Sequence, residues 1–125
     1  MANAQVLSPM SVEAGSAITI YRYLAVAADK QADHAANAAR VDGVAAESQA
    51  TVGGAVGLFP PDGRIIKVEA GAAVSAGASL QSNGSGQAIT AVSGIGNFTT
   101  GIAVDAAAGA GEVIRSLFLV DRDQA

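Results

Sequence analysis

The chain has 125 residues, 11 Asp and Glu against 7 Lys and Arg, one His and no Cys. That length fits one domain with a modest core, and the lack of Cys excludes disulfides and thiol chemistry. The acidic balance, with no basic run, excludes the clustered cationic surface that direct nucleic-acid binding needs.

Residues 1–11 carry no charged side chain and offer only Val6, Leu7 and Met10 as sizeable apolar groups. Pro9 discourages helix. The segment reads either as a frayed terminus or as an extended arm that adds a strand to a partner through Gln5, Val6, Leu7, Pro9 and Met10. It lacks the basic flank and continuous apolar core of a signal peptide. No apolar run in the chain approaches the ~20 residues of a membrane span.

Residues 17–26 alternate as a strand: Ile18, Ile20, Arg22, Leu24 and Val26 on one face, Thr19, Tyr21, Tyr23 and Ala25 on the other. Arg22 on an apolar face needs an edge position, a paired carboxylate, or an ion pair across a subunit interface. Tyr21, Arg22 and Tyr23 are therefore the candidate interface residues.

Residues 29–40 change period. Ala28, Ala32, Ala35, Ala36 and Ala39 recur at helical spacing, with Asp29 as N-cap and Arg40 at the C-terminal end. This predicts one short surface helix. Two strands follow, at 41–46 and 54–59. The turn Pro60-Pro61-Asp62-Gly63 leads into a strand at 64–68, so residues 54–68 read as a hairpin. Further strands are expected at 87–92 and 113–120, with a polar tail at 121–125.

The chain reads as two copies of one β-unit, about 12–59 and 68–119. Val12-Glu13-Ala14-Gly15 recurs as Val68-Glu69-Ala70-Gly71, an offset of 56 residues. Leu24 then matches Leu80, Gln31 matches Gln87 and Ala32 matches Ala88 in the same register. Farther on the offset drifts, so that Gly43-Val44-Ala45 falls against Gly101-Ile102-Ala103 and Leu58-Phe59 against Leu117-Phe118. Two copies are too few for a repeat array. They predict a mostly-β domain, a compact β-barrel or β-sandwich with pseudo-twofold duplication and one short helix. Its Ala-rich core buries little area per residue, so part of its stability is expected from association.

Catalytic patterns are not legible. Gly94-Ile95-Gly96 and Gly109-Ala110-Gly111 lack the Lys-Ser/Thr of a phosphate loop. No Ser stands in a nucleophile elbow. His34, the single His, has no Cys to join it in a metal site. An enzyme, a cofactor and a metal are not expected.

Three stretches carry a resemblance. Residues 32–45, from Ala32-Asp33-His34 to Gly43-Val44-Ala45, are one. Residues 68–80, ahead of a Gly-rich turn, are another. The third is Gly101-Ile102-Ala103 with Gly109-Ala110-Gly111-Glu112-Val113-Ile114-Arg115. Together, over about residues 12–120, they resemble the capsid decoration, or cement, proteins of tailed bacteriophages. The resemblance implies a compact β-barrel, usually trimeric, on the outer surface of the virion head at threefold and quasi-threefold positions. There it would clamp the major capsid protein, with no catalytic residues, no membrane and no direct contact with nucleic acid.

The spacing Val-x-x-Gly-x-x-Leu before a Gly turn also occurs in biotinyl or lipoyl barrel-sandwich carriers. Those need a Lys at a hairpin tip, and neither Pro60–Gly63 nor Asn83–Gly86 supplies one. A phage fibre or adhesin binding module is the third alternative.

Overall fold

The computed structural model describes residues 10–27, 30–92, 94 and 96–122. Ten strands run in order: β1 Met10–Ala14, β2 Tyr23–Val26, β3 Gln31–His34, β4 Gly43–Ala45 and β5 Ala55–Phe59, then β6 Ile65–Glu69, β7 Ser79–Ser82, β8 Ala88–Thr90, β9 Phe98–Ala103 and β10 Val113–Arg122. The first five close into a barrel in the order β1-β3-β2-β4-β5, with β5 back against β1. The last five form a sheet in the order β6-β10-β9-β7-β8.

The two sets have equivalent pairings. Leu24 faces Gly43 across β2 and β4, and Leu80 faces Gly101 across β7 and β9. Ala45 faces Leu58, and Ala103 faces Ser116. Ala14 pairs in parallel with Ala32; its counterpart is the isolated parallel bridge Ala70–Ala88, just past the end of β6. Even the unusual backbone positions correspond: Tyr21 (φ 69°) with Gly77 (φ 87°), and Lys30 (φ 66°) with Gly86 (φ 79°).

Each unit fills its interior from the same positions. Ala14, Ile18, Leu24, Ala32, Ala45, Val56 and Leu58 form the core of the first barrel. Six of their counterparts, Ala70, Val74, Leu80, Ala88, Ala103 and Ile114, lie in the second core. The seventh differs. The strand pairings correct the sequence match of Leu58-Phe59 to Leu117-Phe118 by one residue: Ser116 stands where Leu58 stands, and Leu117 where Phe59 stands. Ser116 is fully buried, and its hydroxyl has no protein partner.

Three expectations are corrected. Among the described residues there is no helix. Residues 31–34 form β3, antiparallel to β2, with Ala32 in the barrel core. Alanine's helix preference is a weak prior, and here its small side chain fits a crowded barrel interior. The expected N-cap, Asp29, lies outside the described residues. The strand expected at 17–26 is shorter, because the positive φ of Tyr21 turns the chain before β2. Residues 54–68 are not a hairpin either. β5 pairs with β1 and β4, β6 pairs with β10, and Pro60–Gly63 links the two units. Of the expected polar tail, Asp121 and Arg122 extend β10 opposite Thr99 and Phe98.

Candidate functional site

Aromatic and charged side chains converge where the units meet. The segment Tyr21–Tyr23 of the first unit is held between β6 and the turn at 83–87 of the second. The Glu69 amide donates to the Tyr21 carbonyl at 2.8 Å, and the Tyr23 amide donates to the Gly86 carbonyl at 2.7 Å. A Cβ on Gly86 would stand 2.7 Å from the Tyr23 carbonyl oxygen, and its φ is in the left-handed region, so the close approach requires glycine.

Arg22 is answered by a carboxylate of the other unit. Its Nε lies 3.2 Å from Glu69 Oε1. Glu69 Oε2 also accepts from Gln87 Nε2 at 2.7 Å. Burial acts to raise the Glu69 pKa, but the hydrogen bonds from Arg22 and Gln87 outweigh it and hold the carboxyl below its usual range. The counterparts in the first unit, Gln31 Nε2 and Glu13 Oε1, are 3.4 Å apart on the exposed surface.

Tyr23 turns the other way and is 0% exposed. Its ring stacks on Phe118 with centroids 6.0 Å apart. The Thr100 hydroxyl donates to the Tyr23 hydroxyl oxygen at 2.7 Å. Burial raises the Tyr23 pKa and keeps the phenol neutral. Below, Ala38 N donates to Ser82 O and Phe98 N donates to Ala38 O, stitching the loop after β3 to β7 and β9.

These contacts are not mirrored. Gly77 and Ser79, which correspond to Tyr21 and Tyr23, are exposed, as is Glu13. A pseudo-twofold arrangement would bury them in the same way. The contacts between the units are therefore not those of a twofold pair, which corrects the expected pseudo-twofold arrangement.

The trio singled out from sequence is thus brought together, at an interface between two units of one chain. Arg22 has its carboxylate and Tyr23 is enclosed by the chain's own core. Tyr21 is half-buried between two clefts. One, of about 340 Å³, is lined by Phe59, Ile65, Arg64 and Lys67; the other, of about 400 Å³, by Lys67, Asp105, Val113 and Arg115. The arm residues Gln5, Val6, Leu7 and Pro9 lie outside the described residues, and Met10 opens β1 opposite Leu58. Lys30, expected in a helix, is exposed at the turn before β3. Sequence reading passed over Glu69, Thr100 and Phe118. The matched Glu13/Glu69 pair was visible as a repeat, but nothing local marked Glu69 as the partner of Arg22.

Among the described residues no group of three or more His, Asp or Glu is placed to hold a metal ion. His34 has a structural role, since its Nε2 accepts from the Thr19 amide at 3.1 Å, which requires the neutral ring. Burial and the Arg22 charge lower its pKa from 6.5, against the opposing pull of Asp33 and Glu69. A histidine with a depressed folded pKa stabilises fully above 6.5, and that contribution is lost as pH falls through the folded value. Stability measured by urea unfolding is expected to drop by about 1 kcal/mol between pH 7 and 5 as this hydrogen bond is lost. His34→Gln, which keeps an acceptor, should flatten that drop. An unchanged slope in the variant would assign it to other groups. Glu69 contributes to the slope only nearer pH 4.5 and below.

No protein-family model matches the chain. No curated protein matches it either. Among solved structures, the fold is similar to the N-terminal base of the head fiber protein gp8.5 of bacteriophage phi29. The TM-score is 0.72 at 22% identity, over 93% of this chain and 95% of that one. The likeness shows a shared fold.

Proposed function

We propose that this chain is a structural module of a phage virion, carried on the outside of the head. The observation that supports this best is the likeness, over nearly the whole of both chains, to the base of a phage head fiber. Two finer readings follow. In the first, homotrimers at threefold and quasi-threefold positions cement the major capsid protein. In the second, the chain is the base of a fibre. The head-fiber neighbour favours the second; the resemblance of residues 32–45 and 68–80 favours the first. Either way, several weak contacts per oligomer would add to a high avidity, with the arm at residues 2–10 supplying one of them.

Co-sedimentation with phage heads lacking the protein tests this reading. Wild-type protein is expected to sediment with the heads. Deletion of residues 2–9, which spares β1, should weaken binding at least tenfold with an unchanged circular dichroism spectrum. Greater resistance of the bound heads to heat selects the cement reading, and binding without added resistance selects the fibre base. Failure to sediment overturns the virion reading. Exposed Lys30 keeps the carrier alternative in view, and an intact mass carrying an acyl or biotinyl group would select it.

A further inference from the structure

β10 carries large apolar side chains on both faces, interrupted by Ser116 inside and Arg115 outside. Ile114 and Phe118 point into the core, while Val113, Leu117 and Leu119 point outward. A strand that is apolar on both sides is the pattern of one covered on both sides, yet within the chain only the inner face is covered. Outside, Leu117 sits directly between Ile65 of β6 and Ile102 of β9. The three are 37%, 56% and 44% exposed, and Leu119 is 54% exposed. Single exposed apolar residues are ordinary; a contiguous row across three strands marks a contact.

The repeat shows what this face does elsewhere. The register counterparts of Ile102 and Leu117 in the first unit are Val44 and Phe59. Val44 is 1% exposed and Phe59 packs beside it, both against the second unit. The same face is therefore a protein contact in one unit and bare in the other. It is also continuous with the unit junction, because Ile65 shares a cleft with Phe59 and Tyr21. Its rim has both signs: Arg115 is paired with Asp105 at 2.8 Å, and Lys67 stands opposite Arg115 across β6 and β10. A rim of mixed sign fits a copy of itself better than a strongly charged surface.

We infer that the outer face of β6, β10 and β9, centred on Leu117, is the surface through which copies of this chain associate. This rests on the oligomer of the proposed function and names its interface. Where this patch lines the axis of a closed cyclic assembly, every copy presents it there, so Leu117 and Ile102 are buried together.

The test is the solution mass of the full chain by light scattering over a range of concentrations, for wild type and for Leu117→Glu and Ile102→Glu. Both side chains are outside the core, so the circular dichroism spectra and urea midpoints should be unchanged. Wild type is expected to be oligomeric, and each variant to raise the dissociation constant at least tenfold, down to single-chain mass. Variants that remain oligomeric would place the interface elsewhere and leave the virion reading standing. A wild type monomeric at every concentration would overturn the inference. If the Glu variants then lost head binding, the face would belong to the capsid instead.

Discussion

Replacing Tyr23 by Ala is expected to destabilise the chain by about 3–5 kcal/mol, the usual range for a large buried aromatic. Three losses combine. The ring is fully enclosed, its stacking on Phe118 disappears, and the buried Thr100 hydroxyl loses its partner. A domain of this size has on the order of 5–15 kcal/mol in total, so the variant would sit near the edge of folding. Tyr23→Phe isolates one part. It keeps the ring and the stack but strands Thr100 Oγ1, and should cost about 1–3 kcal/mol. Urea unfolding with one probe in each unit is the measurement. A loss below about 1 kcal/mol for the Ala variant would show that the units fold without their junction. Two separate transitions would show the same.

Gly101→Ala should be as damaging, at about 4 kcal/mol or more, from a different cause. Gly101 has φ 122°, a conformation closed to side-chain-bearing residues, and a Cβ there would overlap the carbonyl oxygen of Leu117 in the neighbouring strand. Backbone cannot yield without breaking the β9–β10 ladder. The counterpart, Gly43, is the control. Its added Cβ would meet the Leu58 Cδ1 atom at 2.5 Å and, less closely, the Phe59 carbonyl oxygen at 3.0 Å, and its φ needs no glycine. Because the end of a leucine side chain can move, Gly43→Ala should cost clearly less than Gly101→Ala. Thermal or urea midpoints of the two variants decide it; equal losses would mean that packing against Leu58 is as rigid as the ladder.

The contrast between these two glycines shows what a repeat can and cannot say. Gly43 and Gly101 align in the sequence, yet one is limited first by a side chain and the other by backbone that a Cβ would overlap. The same holds at Tyr21 and Gly77. They correspond, both have positive φ, and only one meets another unit. Positive φ at a tyrosine is sterically costly, and the Glu69 amide bonded to its carbonyl is part of what holds it there. Composition pointed to glycine turns but did not reveal that a tyrosine occupies one.

Several features were determined by the sequence alone. The mostly-β character followed from short apolar segments between Gly-containing turns. The correspondence of residues followed from four identities at one offset, and its register returns in the pairings from Ala14–Ala32 to Leu24–Gly43, but the last strands pair one residue away from the sequence match, Leu58 answering to Ser116 rather than Leu117. Alternation did not assign the core: Tyr23 and Leu24, placed on opposite faces of one strand, are both fully buried, one toward each unit's core. Tertiary structure decided the rest. Residues 31–34 became a strand rather than a helix because β2 and β1 offered hydrogen-bond partners that outweigh the local preference of Ala. Arg22 found Glu69, 47 residues away, and Tyr23 found Thr100, 77 residues away. Periodicity reports which way a side chain points within its own element. It has no term for which distant element that face will meet, and both the junction and the bare face of β10 are set by that meeting.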